Sequence, residues 1–258
     1  MARIHPSAVV HPAAELADDV EIGPFCLIGE HVRIGAGTRV GPHNVIDGHT
    51  VIGERNVFHG SAHIGCAPQD KKYRGEPTRL VIGDGNTVYQ FVTISTGTSQ
   101  DEGITSLGDD NWIMAYVHIA HDCRLGSHLI LANNATLAGH VHAGDWVFLG
   151  GFTSVHQFCK IGAHAMTAFT AAVTQDVPPY VTAAGNRAAP AGINSEGLRR
   201  RGFDNAQILE IKRAYKLLYR QGLTLEEAIA EITARAAERP ELQAFVDFFP
   251  TATRGLIR

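Results

Sequence analysis

A six-residue period of aliphatic side chains is the feature of this sequence that most limits how the chain can fold. In its central part all but Ala143 and Thr167 of the periodic positions carry branched aliphatic side chains: Leu107, Ile113, Ile119, Leu125, Leu131, Leu137, Ala143, Leu149, Val155, Ile161, Thr167 and Val173. The N-terminal half has the same period at Ile4, Val10, Leu16, Ile22, Ile28, Ile34, Val40, Ile46, Ile52, Phe58 and Ile64, and again at Ile82, Val88 and Ile94. A short fixed period indicates a repeat architecture in which successive units stack on one another.

Neither an amphipathic helix nor an alternating strand explains this spacing, because their side chains repeat every 3.6 and every 2 residues. The period is explained if each hexad forms one short strand and one turn, and three hexads close a triangular rung around the aliphatic residues. A small or acidic residue such as Gly23, Gly29 or Asp47 often follows the aliphatic position. Glycine there would occupy corners where a side chain would be strained. The sequence therefore predicts a parallel coil in which residues about eighteen apart lie side by side.

The predicted coil covers residues 1–190 and is interrupted twice. Loop excursions are expected near residues 66–80 and 97–106, where the aliphatic positions are missing or shift by one residue. Long loops on a rigid scaffold often carry binding residues. The paired prolines Pro178 and Pro179 are expected to end the coil, since proline cannot donate to a strand ladder.

Residues 191–258 show a different pattern and are predicted to form a C-terminal α-helical domain. Asp204 with Gln207, and Thr224 with Glu227, have the spacing of capping boxes at helix starts. Apolar residues after each start recur on one helical face. The fold class predicted from sequence is therefore mainly β plus α.

Composition and charge agree with a packed globular chain of 258 residues, 45% hydrophobic and 19% charged. No apolar run approaches the ~20 residues that span a bilayer, and the N-terminus lacks the apolar core of a signal peptide, so we expect a cytoplasmic protein. A net charge of −4 gives no support for nucleic-acid binding. Cys26, Cys123 and Cys159 fall on the inward side of the coil and are expected to be small buried hydrophobes without disulfides. Cys66 lies outside that phase, so the pattern predicts no role for it.

Four histidines fall in the stretch HIAHDCRLGSHLILANNATLAGHV, residues 118–141. His121 is followed eighteen residues later by Gly139, which should lie beside it in the next rung. In the same way Asp122 should stack on His140. The absence of a side chain at Gly139 would let a reacting carbonyl approach a backbone N–H. Histidines expected at corners or loops without a chemical role include His5, His11, His31, His43 and His49.

This arrangement suits acyl transfer to a hydroxyl group. An alcohol is a poor nucleophile at neutral pH, and an imidazole is suited to take its proton in the transition state. General-base catalysis of this kind typically accelerates a reaction by about a hundred- to ten-thousandfold, and one oxyanion donor contributes a similar factor. A thioester donor then requires no serine or cysteine nucleophile.

Six stretches together carry a resemblance to a known family: IAHDC, LANNATLAGHV, VHQF, APQDKKYRGEPTR, QDVPPY and NSEGLRRRGF. They resemble the UDP-N-acetylglucosamine O-acyltransferases, and the resemblance extends over essentially the whole chain. It implies a left-handed parallel β-helix and a homotrimer with active sites in clefts between coils. It further implies transfer of a 3-hydroxyacyl chain from acyl carrier protein to the 3-hydroxyl of UDP-N-acetylglucosamine, the first step of lipid A synthesis. No metal and no cofactor are expected beyond the phosphopantetheine carried by the donor.

Carried over by position, the resemblance makes His121 the general base, Asp122 its orienting neighbour and Gly139 the oxyanion N–H. The residues that it implies in substrate binding are Asp70, Lys72, His118, His140, His156, Gln157, Asn194, Glu196, Arg200 and Arg201. The last four match positions near the uridine diphosphate, and guanidinium groups suit a pyrophosphate. Acyl carrier protein is acidic, so its docking surface on this chain is expected to be basic. The candidates for that surface are Lys160, Arg199, Arg200, Arg201, Lys212, Arg213 and Lys216.

The chain departs from the family pattern at two positions. Arg187 stands in GNRAAP, where the family often has histidine, so a nucleotide or donor contact there is expected to differ. Phe169 stands at the position that limits acyl-chain depth, where enzymes for long chains have glycine. We therefore predict a preference for a medium-length 3-hydroxyacyl chain.

Three alternatives remain open from the sequence. The related N-acyltransferase of the same pathway also uses the coil and acyl carrier protein, but it has an additional N-terminal domain, whereas the hexads here begin at Ile4. A metal-dependent coil enzyme would use His118, His121 or His140 as zinc ligands. A non-enzymatic scaffold fits the repeat but gives no reason for the two loop excursions.

Overall fold

The computed structural model describes all residues from 1 to 258, and the first 193 of them form a coil of short strands. The strands are β1 (Arg3–Ile4), β2 (Val9–Val10), β3 (Glu15–Leu16), β4 (Glu21–Ile22), β5 (Leu27–Ile28), β6 (Arg33–Ile34), β7 (Arg39–Val40), β8 (Val45–Ile46), β9 (His49–Ile52), β10 (Val57–Phe58), β11 (His63–Cys66), β12 (Arg79–Ile82), β13 (Thr87–Val88), β14 (Thr93–Ser95), β15 (Ile104–Leu107), β16 (Trp112–Ile113), β17 (His118–Ile119), β18 (Arg124–Leu125), β19 (Ile130–Leu131), β20 (Thr136–Leu137), β21 (His142–Ala143), β22 (Phe148–Leu149), β23 (Ser154–Val155), β24 (Lys160–Ile161), β25 (Met166–Thr167), β26 (Ala172–Val173), β27 (Val181–Ala184) and β28 (Ala189–Ile193). Through β26 every third strand pairs with the next in parallel, which gives three sheets around one axis.

The rung length follows from the six-residue period. Ile28 pairs with Ile46, eighteen residues later, and this register recurs along the coil. The two loop excursions lengthen the separation without breaking the ladder, so that Thr93 pairs with His118 across the second one. The predicted stacking of residues eighteen apart is therefore confirmed.

The aliphatic residues of the period fill the interior of the coil. Ile28, Ile64 and Ile119 are fully buried, whereas Ile4 is 45% exposed because no rung covers the N-terminal end. Burial on this scale is the main stabilising term of such a fold. Cys26, Cys123 and Cys159 are buried without disulfides, as predicted, and Cys66 is partly buried in β11.

A column of buried asparagines also supports one corner of the coil. Asn56 Oδ1 accepts from the Asn86 N–H, and Asn86 Oδ1 accepts from the Asn111 N–H, both at 2.9 Å. Asn111 Oδ1 in turn accepts from the Leu129 N–H at 2.8 Å. Each side chain thus satisfies a backbone donor of the following rung, which would otherwise be buried without a partner.

The boundaries expected from the sequence need correction at both loops and at the end of the coil. β12 begins at Arg79 and β15 begins at Ile104, so the loops cover residues 67–78 and 96–103. The coil does not end at the paired prolines, because β27 continues the parallel ladder on β25. The predicted boundary at residue 190 falls inside β28, which turns back antiparallel on β27.

The C-terminal segment is helical and forms a second apolar cluster. Its elements are α1 (Ser195–Arg200), α2 (Asn205–Tyr219), α3 (Leu225–Ala236) and α4 (Gln243–Phe248), with 3-10 turns at Pro240–Leu242 and Phe249–Thr251. Both predicted capping boxes are present, at Asp204 and Thr224. The C-terminal tail returns to the coil, where Ile257 is buried in the main core. No helix is both long and apolar enough to cross a bilayer.

Candidate active site

His121 and Asp122 form a hydrogen-bonded pair at the corner after β17. The His121 Nδ1 lies 2.8 Å from the Asp122 Oδ2. Asp122 has a left-handed backbone conformation, with φ of 59°, and its side chain is 1% exposed. Thr98 in the second loop fixes this carboxylate, because its N–H donates to Oδ1 at 2.8 Å and its hydroxyl donates to Oδ2 at 2.6 Å.

The charge of Asp122 sets the proton position on His121. Burial raises the pKa of Asp122, but hydrogen bonds from His121 and Thr98 outweigh burial, so the pKa lies below its ordinary value. An ionised carboxylate accepts hydrogen bonds and cannot donate them. His121 therefore donates from Nδ1, and the lone pair of a neutral ring lies on Nε2.

Gly139 lies directly against the His121 ring. A Cβ on Gly139 would lie 2.5 Å from the Cε1 and 2.8 Å from the Nε2 of His121, so a side chain here would displace the imidazole. The Gly139 N–H donates no hydrogen bond within the chain, whereas its carbonyl accepts from the Phe158 N–H. An unused N–H beside a basic nitrogen can stabilise an oxyanion that forms there.

The His121 ring lines a cavity of about 600 Å³ between the two loops and the coil. The cavity is lined by Gln69, Asp70, Lys71, Lys72, Gln100, Asp101, His121, His140, Gln157 and Phe158. The structure thus brings together five of the residues singled out from the sequence: Asp70, Lys72, His121, His140 and Gln157. The other five lining residues were not predicted from the sequence, although binding residues were expected in the two loops.

Two further histidines of the prediction do not line this cavity. The His118 Nδ1 lies 2.7 Å from the Thr93 hydroxyl. The pKa of His118 is lowered mainly by burial and to a smaller extent by the neighbouring His121. His156 is exposed, with its Nδ1 3.1 Å from the Gln157 carbonyl and 3.4 Å from the Arg254 Nη2.

Asn194, Glu196, Arg200 and Arg201 line a second cavity, of about 460 Å³. Asn194 caps α1 by accepting from the Gly197 N–H at 3.1 Å. The Arg200 Nε lies 3.0 Å from a Glu196 carboxylate oxygen. The two cavities share no residue, so one chain does not bring these four residues together with His121.

Arg201 is held against aromatic rings at this second cavity. Its guanidinium lies 5.2 Å from the centre of the Trp146 ring, and its Nη1 lies 3.2 Å from the His164 Nδ1. Burial, together with the charge of Arg201, lowers the pKa of His164 to about 4. A neutral His164 can accept from the guanidinium, which leaves the other Arg201 donors for an anion.

Phe169 lies at a different corner of the coil, after β25, and lines neither cavity. Its side chain is 66% exposed. Its ring meets that of Phe152 edge-on, with centroids 5.5 Å apart. Phe169 and His121 therefore lie at different corners of the coil.

Two family models match the chain. The second domain of UDP-N-acetylglucosamine O-acyltransferases matches residues 176–257, and the bacterial transferase hexapeptide model matches residues 104–139. The acyl-[acyl-carrier-protein]–UDP-N-acetylglucosamine O-acyltransferases of Janthinobacterium sp. (strain Marseille) and Thiobacillus denitrificans are 66% and 61% identical, each over the full length of both chains. This chain belongs to the UDP-N-acetylglucosamine O-acyltransferase family.

The solved structures of the family have the same fold. The UDP-N-acetylglucosamine acyltransferase of Francisella novicida superposes with a TM-score of 0.97 at 45% identity, covering 99% of this chain and 94% of that one. The enzyme of Moraxella catarrhalis gives 0.96 at 42% identity, covering 99% of both chains. These matches confirm the predicted left-handed parallel β-helix with a helical C-terminal segment, and they favour the O-acyltransferase family over the N-acyltransferase and scaffold alternatives.

The cluster of His121, Asp122 and His140 in this chain also has a geometry that a metal ion could use. Ligand atoms of His121, Asp122 and His140 all lie within 4.8 Å of one another. However, each imidazole Nδ1 is engaged by a carboxylate, since His140 Nδ1 lies 2.8 Å from Asp101 Oδ2. The Asp122 oxygens already accept hydrogen bonds from Thr98 and His121. Because a carboxylate on Nδ1 is also common for metal-bound histidines, it is the occupied Asp122 oxygens that favour an oriented base over a set of three metal ligands.

Proposed function

We propose that this protein transfers a 3-hydroxyacyl chain from acyl carrier protein to the 3-hydroxyl of UDP-N-acetylglucosamine in the cytoplasm, as the first step of lipid A synthesis. The observation that carries the proposal is the contact between Gly139 and the ring of His121, whose Nδ1 is bound to the buried Asp122 carboxylate. The names of the full-length relatives state the same donor and acceptor.

In the proposed mechanism the His121 Nε2 removes the proton of the attacking sugar hydroxyl. The hydroxyl oxygen attacks the thioester carbonyl, and the Gly139 N–H donates to the oxyanion of the tetrahedral intermediate. Collapse of the intermediate breaks the C–S bond, and the imidazolium returns the proton to the departing thiolate. Asp122 stabilises the imidazolium between these two steps. The step needs no metal and no cofactor of the enzyme.

Substrate binding is proposed to involve the two cavities. Asp70, Lys72, His140 and Gln157 line the cavity of His121, with His118 and His156 close to it in the chain. Asn194, Glu196, Arg200 and Arg201 are proposed to bind the uridine diphosphate from the second cavity. Because one chain holds these sets apart, we propose a homotrimer in which each active site combines residues of two copies.

We propose that Phe169 shortens the acyl groove formed between copies. Its exposed ring occupies space that a glycine would leave open, so the preferred donor would carry a medium-length chain. Phe169→Gly should shift the optimum to longer chains. An unchanged donor profile in this variant would contradict the assignment.

The proposed reaction is tested by mass spectrometry of the product formed from UDP-N-acetylglucosamine and a series of 3-hydroxyacyl carrier-protein donors. Wild type should acylate the sugar nucleotide with a medium-chain optimum, and His121→Ala should lower kcat by about a hundred- to ten-thousandfold. Chelator treatment should leave both rates unchanged. No product with any donor, or loss of activity on metal removal with recovery on zinc addition, would contradict the proposal.

A further inference from the structure

A second carboxylate–imidazole pair lies beside His121, and the proposed mechanism does not use it. The His140 Nδ1 lies 2.8 Å from the Asp101 Oδ2. The His140 ring meets the His121 ring edge-on, with centroids 5.1 Å apart, and both rings line the same cavity. The cavity therefore contains two imidazoles, each bound through Nδ1 to its own carboxylate.

Asp101 is itself held by charged and backbone donors. Arg124, in the strand after the His121 corner, places its Nη2 3.3 Å from the Asp101 Oδ1 and 2.9 Å from a Glu102 carboxylate oxygen. The Glu102 N–H also donates to Asp101 Oδ1, at 2.8 Å. Burial raises the pKa of Asp101, but hydrogen bonds from His140 and Glu102 outweigh burial, so the pKa lies below its ordinary value. The carboxylate is thus ionised and fixed in direction.

The His140 ring has a defined orientation. It stacks on Phe158 with centroids 4.5 Å apart and an interplanar angle of 14°. Its backbone N–H donates to the His121 carbonyl at 3.0 Å. With Nδ1 on Asp101, the Nε2 lies on the opposite side of the ring, 3.7 Å from the Asp122 Oδ2.

We propose that Asp101 is a positioning residue that fixes His140 as the Nδ1–H tautomer, so that the His140 Nε2 accepts a hydrogen bond from the acceptor sugar. An ionised carboxylate can only accept, so the ring donates from Nδ1, and the other nitrogen of a neutral imidazole is an acceptor. The group bound would be an N–H or O–H of the sugar next to the reacting hydroxyl. The identity of that substrate rests on the proposed function, whereas the tautomer does not.

The test compares Asp101→Asn with wild type in the full-length protein. The amide keeps the shape of the carboxylate but can donate to Nδ1, which would move the ring proton to Nε2. Long-range proton–nitrogen NMR of ¹⁵N-histidine-labelled protein should show Nδ1–H at His140 in wild type and Nε2–H in the variant. The KM for UDP-N-acetylglucosamine should rise about three- to tenfold, as expected for one lost hydrogen bond, while the KM for the acyl carrier protein donor stays unchanged.

Two further variants separate positioning from a general effect on the loop. Asp101→Glu retains a carboxylate and should restore the Nδ1–H tautomer and most of the lost affinity. Glu102→Gln removes the neighbouring charge that pairs with Arg124 but does not contact His140, so it should leave the tautomer and both KM values unchanged.

Three results would overturn the proposal. One is a wild-type His140 with its proton on Nε2 or with both nitrogens protonated. Another is an Asp101→Asn protein with an unchanged tautomer. The third is a rise in KM for the donor in place of the sugar nucleotide, which would contradict the assigned substrate. If wild type transfers no acyl group, the proposed function fails, and the NMR spectra still decide the tautomer.

Discussion

At the scale of single residues, the site depends on Gly139 having no side chain. Gly139→Ala places a methyl group 2.5 Å from the His121 Cε1, and the ring must move because the coil backbone is fixed by its ladder. We expect kcat to fall at least about a hundredfold, since general-base catalysis is lost. The midpoint of thermal unfolding should change little, because the displaced group is a side chain at a cavity.

The mechanism of this loss is tested by combining the change with His121→Ala. When the imidazole is absent, the added methyl group has nothing to displace, so the double variant should be no slower than His121→Ala alone. Non-additivity of this kind is expected for residues in contact. Fully additive losses in kcat would show that Gly139 acts independently of the ring.

At the scale of secondary-structure elements, the corner asparagines should differ in their contribution to stability. Asn86→Leu leaves the Asn111 N–H without a partner, and it also removes the hydrogen bonds that the Asn86 Nδ2 donates to the Asn56 Oδ1 and the Asp84 carbonyl. The free energy of unfolding should fall by about 2–4 kcal/mol. Asn111→Leu is the matched control, because the Asn111 Nδ2 already has no partner and only the Leu129 N–H is orphaned. Denaturant unfolding should rank the Asn86 variant as the less stable one.

His164, which contacts Arg201 where the coil meets α1, should make the free energy of unfolding depend on pH. His164 has a pKa of about 4 in the folded chain, because burial and the charge of Arg201 disfavour its protonation, against about 6.5 when unfolded. Between these values the unfolded chain binds the additional proton, so stability falls as pH drops from about 6.5 to about 4. The loss is up to roughly 3 kcal/mol. Above pH 6.5 the group contributes no pH dependence.

Replacing His164 by phenylalanine tests this dependence. The new ring can still stack on Tyr180 but cannot take up a proton. Unfolding free energies measured at pH 7 and pH 4.5 should therefore differ less in His164→Phe than in wild type. The exposed ring of His43, which stacks on Phe25, provides a control, since His43→Phe should leave the difference unchanged. Equal pH dependence in wild type and His164→Phe would contradict the assignment.

At the scale of the whole molecule, the six-residue period is sufficient to predict the coil and the neighbours within it. Because residues eighteen apart pair, the contact between His121 and Gly139 can be predicted from their spacing alone. The end of the coil could not be predicted in this way. β27 joins the ladder after the two prolines, which occupy the turn before it and not the paired positions.

Contacts made by the loops also escape prediction from the period. Thr98 binds Asp122, and Asp101 binds His140, but Thr98 and Asp101 belong to a loop that has left the repeat. Their positions depend on how the loop of residues 96–103 packs, and no spacing rule relates them to the next rung. The separation of Arg201 from His121 likewise becomes visible only in three dimensions, since it depends on how β28 returns along the coil.

An active site shared between copies is tested most directly by mixing two inactive variants. His121→Ala lacks the base and Arg201→Ala lacks a pyrophosphate ligand, so each homotrimer should be nearly inactive in acyl transfer. After the two are unfolded and refolded together in equal amounts, random assembly should place an intact base beside an intact arginine in about a quarter of the sites. Recovery of about that fraction of wild-type kcat is predicted, and activity that stays at the level of the separate variants would contradict the shared site.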